Sequence, residues 1–119
     1  MKIKDKLVSA IVDGLQDKKG KDIVVVDLTS MEDVVCKFFV ICTGGSPAQV
    51  QALTHSVADK ARTGQNAKPL AVDGLRNSHW VAMDYAEVIV HIMLEEERAF
   101  YDIEHLWEDA ELVRIPDID

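Results

Sequence analysis

Phe38-Phe39-Val40-Ile41-Cys42-Thr43-Gly44-Gly45-Ser46-Pro47 holds two elements and the joint between them. Residues 38–43 are apolar on both parities, as a strand covered on both faces is, and Gly44-Gly45 ends the run. Ser46-Pro47 then opens a helix, with Ser as N-cap and Pro at the first helical position, where its missing N–H costs nothing. Val50, Leu53, Val57 and Ala61 recur at helical spacing, which predicts a buried stripe, and Gly64 is the expected stop. A strand that feeds a helix this directly predicts an α/β domain.

Upstream, Ile3, Leu7, Ile11 and Leu15 form one stripe of a helix within residues 2–19, and Gly20 supplies its end. Ile23 to Leu28 is β-branched and nearly all apolar, a second strand of the doubly covered kind. Downstream, Leu70 to Val72 precedes an Asp73-Gly74 turn, and residues 79–84 and 87–94 read as two strands joined tightly near Tyr85-Ala86. Glu95-Glu96-Glu97 opens a short helix, its carboxylates facing the positive end of the dipole, with Phe100, Tyr101, Ile103, Leu106 and Trp107 as apolar content. Close strand pairs are antiparallel, while the helix after Thr43 permits a parallel crossover. The expected fold is therefore α/β, a single-domain mixed five-stranded sheet flanked by helices, over residues 1–110. Residues 111–119 are read as an acidic tail.

The 119 residues, 48% hydrophobic and 29% charged, exclude a disordered, fibrous or disulfide-built chain. No apolar run approaches the roughly 18 residues of a membrane span, and the N-terminus does not read as a targeting signal, so a cytoplasmic site is expected. Cys36 and Cys42 read as reduced thiols, Cys42 in the core. Charge is divided unevenly. From Asp84 onward twelve acidic side chains face two basic ones, Arg98 and Arg114, whereas the preceding segment has eleven basic and nine acidic. Such an end repels nucleic-acid phosphates. It serves either as a solvated surface or as the complement of a basic protein.

Candidate chemistry is sparse. The Gly44-Gly45-Ser46 turn is the most enzyme-like feature, since a Gly-rich turn into a helix can cradle a phosphate, but it lacks the Walker lysine and the dinucleotide spacing. Nucleotidyl transfer would need two carboxylates one residue apart soon afterwards; Asp59-Lys60-Ala61 stands there instead. His55, His79, His91 and His105 show no metal-ligand spacing, and no cofactor is implied. His91 interrupts the apolar strand 88–94 on the parity of Ile89 and Met93. It is either a satisfied half-buried histidine or part of a recognition surface. Trp80, on the parity of Asp84, is either core or an interface anchor.

Asp22 to Leu28 and Phe39 to Gly44, then Lys68-Pro69-Leu70, Asp73-Gly74, Trp80-Val81, Asp84-Tyr85, Val88 to Met93 and Glu97 to Trp107 resemble, in order and spacing, the ribosomal silencing factor family, also called Iojap-related. The resemblance implies a nucleotidyltransferase-like topology without the catalytic carboxylates, and a protein that is not an enzyme. It implies binding to the large ribosomal subunit through its L-fourteen protein, with little nucleic-acid contact, a block to subunit joining under nutrient limitation, and a homodimer when free. Carried over residue by residue, it suggests a partner-binding surface of Trp80, Asp84, Tyr85, His91, Met93, Arg98 and Tyr101. Cys36-Lys37-Phe38, Ala86-Glu87 and Asp73 depart from the family's pattern. The rival readings are a nucleotide enzyme at the Gly44-Gly45-Ser46 turn and a dimeric adaptor.

Overall fold

A computed structural model describes residues 5–32, 34 and 36–118; Ile3 of the predicted first stripe lies outside them. Helix α1 (Lys6–Asp17) begins at Asp5, whose Oδ1 accepts from the N–H groups of Leu7 and Val8. Strand β1 (Lys21–Asp27) and strand β2 (Phe38–Gly44) follow. Helix α2 (Pro47–Gln65) is capped by Ser46, with Pro47 in its first turn. Strands β3 (Ala71–Asp73), β4 (Trp80–Asp84) and β5 (Val88–Leu94) lead directly into α3 (Glu95–Tyr101), a 3-10 turn (Ile103–His105) and strand β6 (Glu111–Ile115).

The strands form one sheet in the order β3-β4-β5-β2-β1-β6. At its centre β2 and β5 run parallel, Phe38 opposite Val88 through Gly44 opposite Leu94. The other neighbours are antiparallel. A strand buried on both faces must alternate between two cores, and β1 and β2 do: Ile23, Val25, Val40 and Cys42 enter the core under α1 and α2, whereas Val24, Val26, Phe39 and Ile41 enter a second core on the opposite face. That second core is roofed by the segment from Ile103 to Ala110.

Six strands replace the expected five. Residues 111–115, expected as tail beyond the resembling stretch, pair with β1 from Ile115 opposite Ile23 to Glu111 opposite Asp27. Their apolar residues divide between the cores, Val113 and Ile115 under the helices and Leu112 beneath the roof. The expected helix stops also shift. Asn66, left-handed at φ 51°, ends α2 rather than Gly64, and Lys19 at φ 57° follows α1 before Gly20. Gly20 is needed for space instead: a Cβ there would stand 2.3 Å from the Cys42 Sγ. Gly74 does act as a turn residue, at φ 98°, and a Cβ there would meet the Trp80 carbonyl oxygen at 2.0 Å.

Candidate docking face

The sheet face away from α1 and α2 is closed over β1 and β2 and half open over β4 and β5. Alternation places Trp80, Ala82 and Asp84 of β4 on it, all half-buried, together with Ile89 and His91 of β5. The Trp80 indole Nε1–H donates to His91 Nδ1 at 3.0 Å. An indole nitrogen only donates, so Nδ1 must accept and the imidazole proton sits on Nε2. Burial lowers the His91 pKa from 6.5 to about 4, and the ring is neutral at physiological pH.

Around this pair the aromatics form a continuous strip. Tyr101 lies 4.8 Å from Trp80, and Phe100 meets Tyr101 edge-on at 4.9 Å. On the other side the Phe39 ring contacts His91 at 5.1 Å and Trp107 at 4.9 Å, both edge-on. Asp84 closes the turn after β4, its Oδ1 accepting from the N–H of Ala86, which is left-handed at φ 70°.

Three residues expected on this surface lie inside. Met93 shares the parity of His91 but is 0% exposed, because it stands opposite Thr43 where α3 and the roof cross the sheet. Tyr85, one residue past Asp84, turns to the opposite face and joins the core under the helices. Arg98 is buried in a salt bridge: its Nε and Nη2 donate to the two oxygens of Glu104 at 3.3 and 3.0 Å, and Nη1 donates to Thr43 Oγ1 at 2.8 Å. A planar fork that is buried and spends three of its five N–H donors inside the chain holds structure together rather than facing a partner. It fastens α3 and the turn after it to the end of β2, and so sets where Tyr101 and Trp107 stand.

The sequence reading passed over Phe100 as an interface residue, yet its side chain is 80% exposed. No sequence signal marked it, because only the inward turn of Arg98 in the structure shows that a residue two positions later, roughly 200° around the helix, faces solvent. Leu106, at 61%, is also exposed.

The Gly44-Gly45-Ser46 turn is filled by its own chain. Gln49 Oε1 accepts from the Gly45 N–H at 2.6 Å, and its Nε2 donates to the carbonyls of Lys18 and Lys19, so the side-chain amide takes up the Gly45 N–H and ties α2 to the end of α1. Ser46 Oγ accepts from the Gln49 N–H. Among the described residues no group of three His, Cys, Asp or Glu could hold a metal ion, and no helix is long and apolar enough to cross a membrane.

Fold and face together define a small mixed α/β domain that leaves an aromatic strip of its sheet half open, with its phosphate-type turn closed from within. The family model described as ribosomal silencing factor during starvation matches residues 2–119, and the chain belongs to this ribosome-associated, translation-regulating family. It is 33% identical over 109 residues to ribosomal silencing factor RsfS of Halalkalibacterium halodurans, covering 92% of each chain. A solved Chromobacterium violaceum protein, 33% identical, superposes with a TM-score of 0.81 over 91% of this chain and 88% of that one. The mouse protein named mitochondrial assembly of ribosomal large subunit protein 1 is 27% identical over 105 residues, 84% of this chain and 44% of its own.

Proposed function

We propose that this protein binds the large ribosomal subunit through its L-fourteen protein, on the face where the small subunit joins, and silences translation under nutrient limitation by steric exclusion in the cytoplasm. The half-open strip of Trp80, His91 and Tyr101, with Asp84 at its edge, carries the reading. It offers a rigid indole whose polar atom is already satisfied, flanked by carboxylates, which suits apolar contact with a basic protein more than contact with RNA phosphates. Family membership and the name of the mouse relative support a ribosomal partner and its large subunit. Exclusion requires no catalysis, in keeping with the Gln49-filled turn. In the free protein the same strip pairs with a second copy, and this homodimer separates on docking.

Co-sedimentation with isolated large subunits, followed by addition of small subunits, tests the proposal. The protein travels with large subunits and prevents joined particles from forming; free joining in its presence at saturation refutes it. Association slows as ionic strength rises, because acidic surface steers the protein to a basic partner.

A further inference from the structure

Beside the strip, on the outer side of α3, Glu96, Glu97, Phe100 and Tyr101 line a shallow concavity of about 300 Å³. Phe100 is the most exposed large apolar side chain among the described residues, and its one aromatic neighbour is Tyr101, perpendicular to it at 82°. Leaving a phenyl ring in water forfeits the burial that would stabilise it, so its position at the protein's most acidic segment is informative. Between Leu94 and Glu111 the sole Lys or Arg is Arg98, which is buried and spent on Glu104. His105 lies 2.6 Å from Asp102, and His79 3.7 Å from Glu97. The concavity thus joins two aromatic rings at right angles to two carboxylates with no lysine or arginine to neutralise them. Such a combination attracts a cation through ring faces and carboxylates together.

The geometry points to a cation-binding notch here, which receives one Arg or Lys side chain of the ribosomal protein that docks on the neighbouring strip. This rests on the docking reading above and adds a specific contact to it. Continuity fixes the occupant: Tyr101 forms one wall of the notch and also lies 4.8 Å from Trp80, so a basic protein seated on Trp80 has its next side chain at the notch. Phe100 presents its ring to the cation, Glu96 and Glu97 supply the counter-charge, and the Arg98–Glu104 pair holds α3 in place.

The experiment measures affinity of the full chain for isolated large ribosomal subunits at low and at high salt, for wild type, Phe100→Leu, Glu96→Gln and Trp80→Ala. Phe100→Leu keeps an apolar side chain and loses the ring face, and is expected to weaken binding about fivefold. Glu96→Gln weakens it at low salt and flattens the salt dependence. Phe100 and Glu96 are exposed, so thermal melting is expected to match wild type for both. If Trp80→Ala weakens binding while Phe100→Leu or Glu96→Gln binds as wild type at both salt concentrations, the notch is overturned and docking stands. If Trp80→Ala binds as tightly as wild type, the docking reading itself fails; if the wild-type chain does not bind large subunits, both fail.

Discussion

Trp80 Nε1 donates to His91 Nδ1 at 3.0 Å between adjacent antiparallel strands, and this bond exists only while His91 is neutral at that nitrogen. The docking face is therefore tied to one protonation state. Two side chains that could each have been core or surface orient one another instead.

His91 titrates near pH 4 rather than 6.5 in the folded protein. The unfolded chain takes up the proton first, so stability is complete above about pH 6.5 and declines as pH falls toward 4, by at most about 3 kcal/mol from this residue. Urea denaturation at pH 7.5 and 4.5 reads the decline, and His91→Gln makes it shallower. A His91 imidazole NMR signal, assigned by its loss in His91→Gln, that titrates near 6.5 in the folded state would contradict the hydrogen bond.

Trp80→Ala removes the centre of the strip and is expected to weaken large-subunit binding by about 2 kcal/mol or more, some thirtyfold. Trp80→Phe, which keeps a ring but not the donor to His91, falls between the two. Sedimentation with large subunits ranks the three proteins, and far-ultraviolet circular dichroism checks that each is folded.

Arg98→Met leaves Glu104 buried without its partner and costs roughly 3–5 kcal/mol of stability. Joint replacement of Arg98 and Glu104 by methionine costs less than either single change, since no buried charge is then stranded. Chemical denaturation of the three variants closes the cycle; equal losses for single and double variants would show that Glu104 reaches water.

Truncation after Ala110 removes β6 and uncovers the β1 edge, with Leu112, Val113 and Ile115 lost from two cores. It is expected to unfold the domain or lower its melting temperature by more than 10 °C. Truncation after Ile115 removes chiefly the exposed bond from the Asp22 N–H to Asp117 and shifts melting by only a few degrees.

Gly20→Ala forces a methyl against the Cys42 Sγ and destabilises by about 1–3 kcal/mol. Cys42→Ala in the same chain removes the clash and recovers part of the loss. The recovery, measured as a coupling between the two sites, distinguishes crowding from a backbone effect.

Strongly local signals carried over intact. Alternation on both parities put β1 and β2 inside, Ser46-Pro47 began α2, and Asp73-Gly74 turned the chain before β4, because each depends on a backbone preference or period that a few neighbours specify. Residues 111–115 are read as tail because the family resemblance ends at Ala110 and the run is short, yet an edge strand needs only Leu112, Val113 and Ile115 to be held.

For the candidate site, strand periodicity was enough to say which residues share a face: Trp80 with Asp84, and His91 with Ile89 and Met93. It could not decide exposure, since that depends on what lies above each residue. The tertiary structure alone buried Met93 beneath α3, turned Tyr85 to the other core, committed Arg98 to Glu104 and Thr43, and left Phe100 in solvent. Tyr85 follows from the turn after β4, and the other three outcomes from where α3 lands on the sheet, a landing tied down by the single hydrogen bond from Arg98 to Thr43, 55 residues away along the chain.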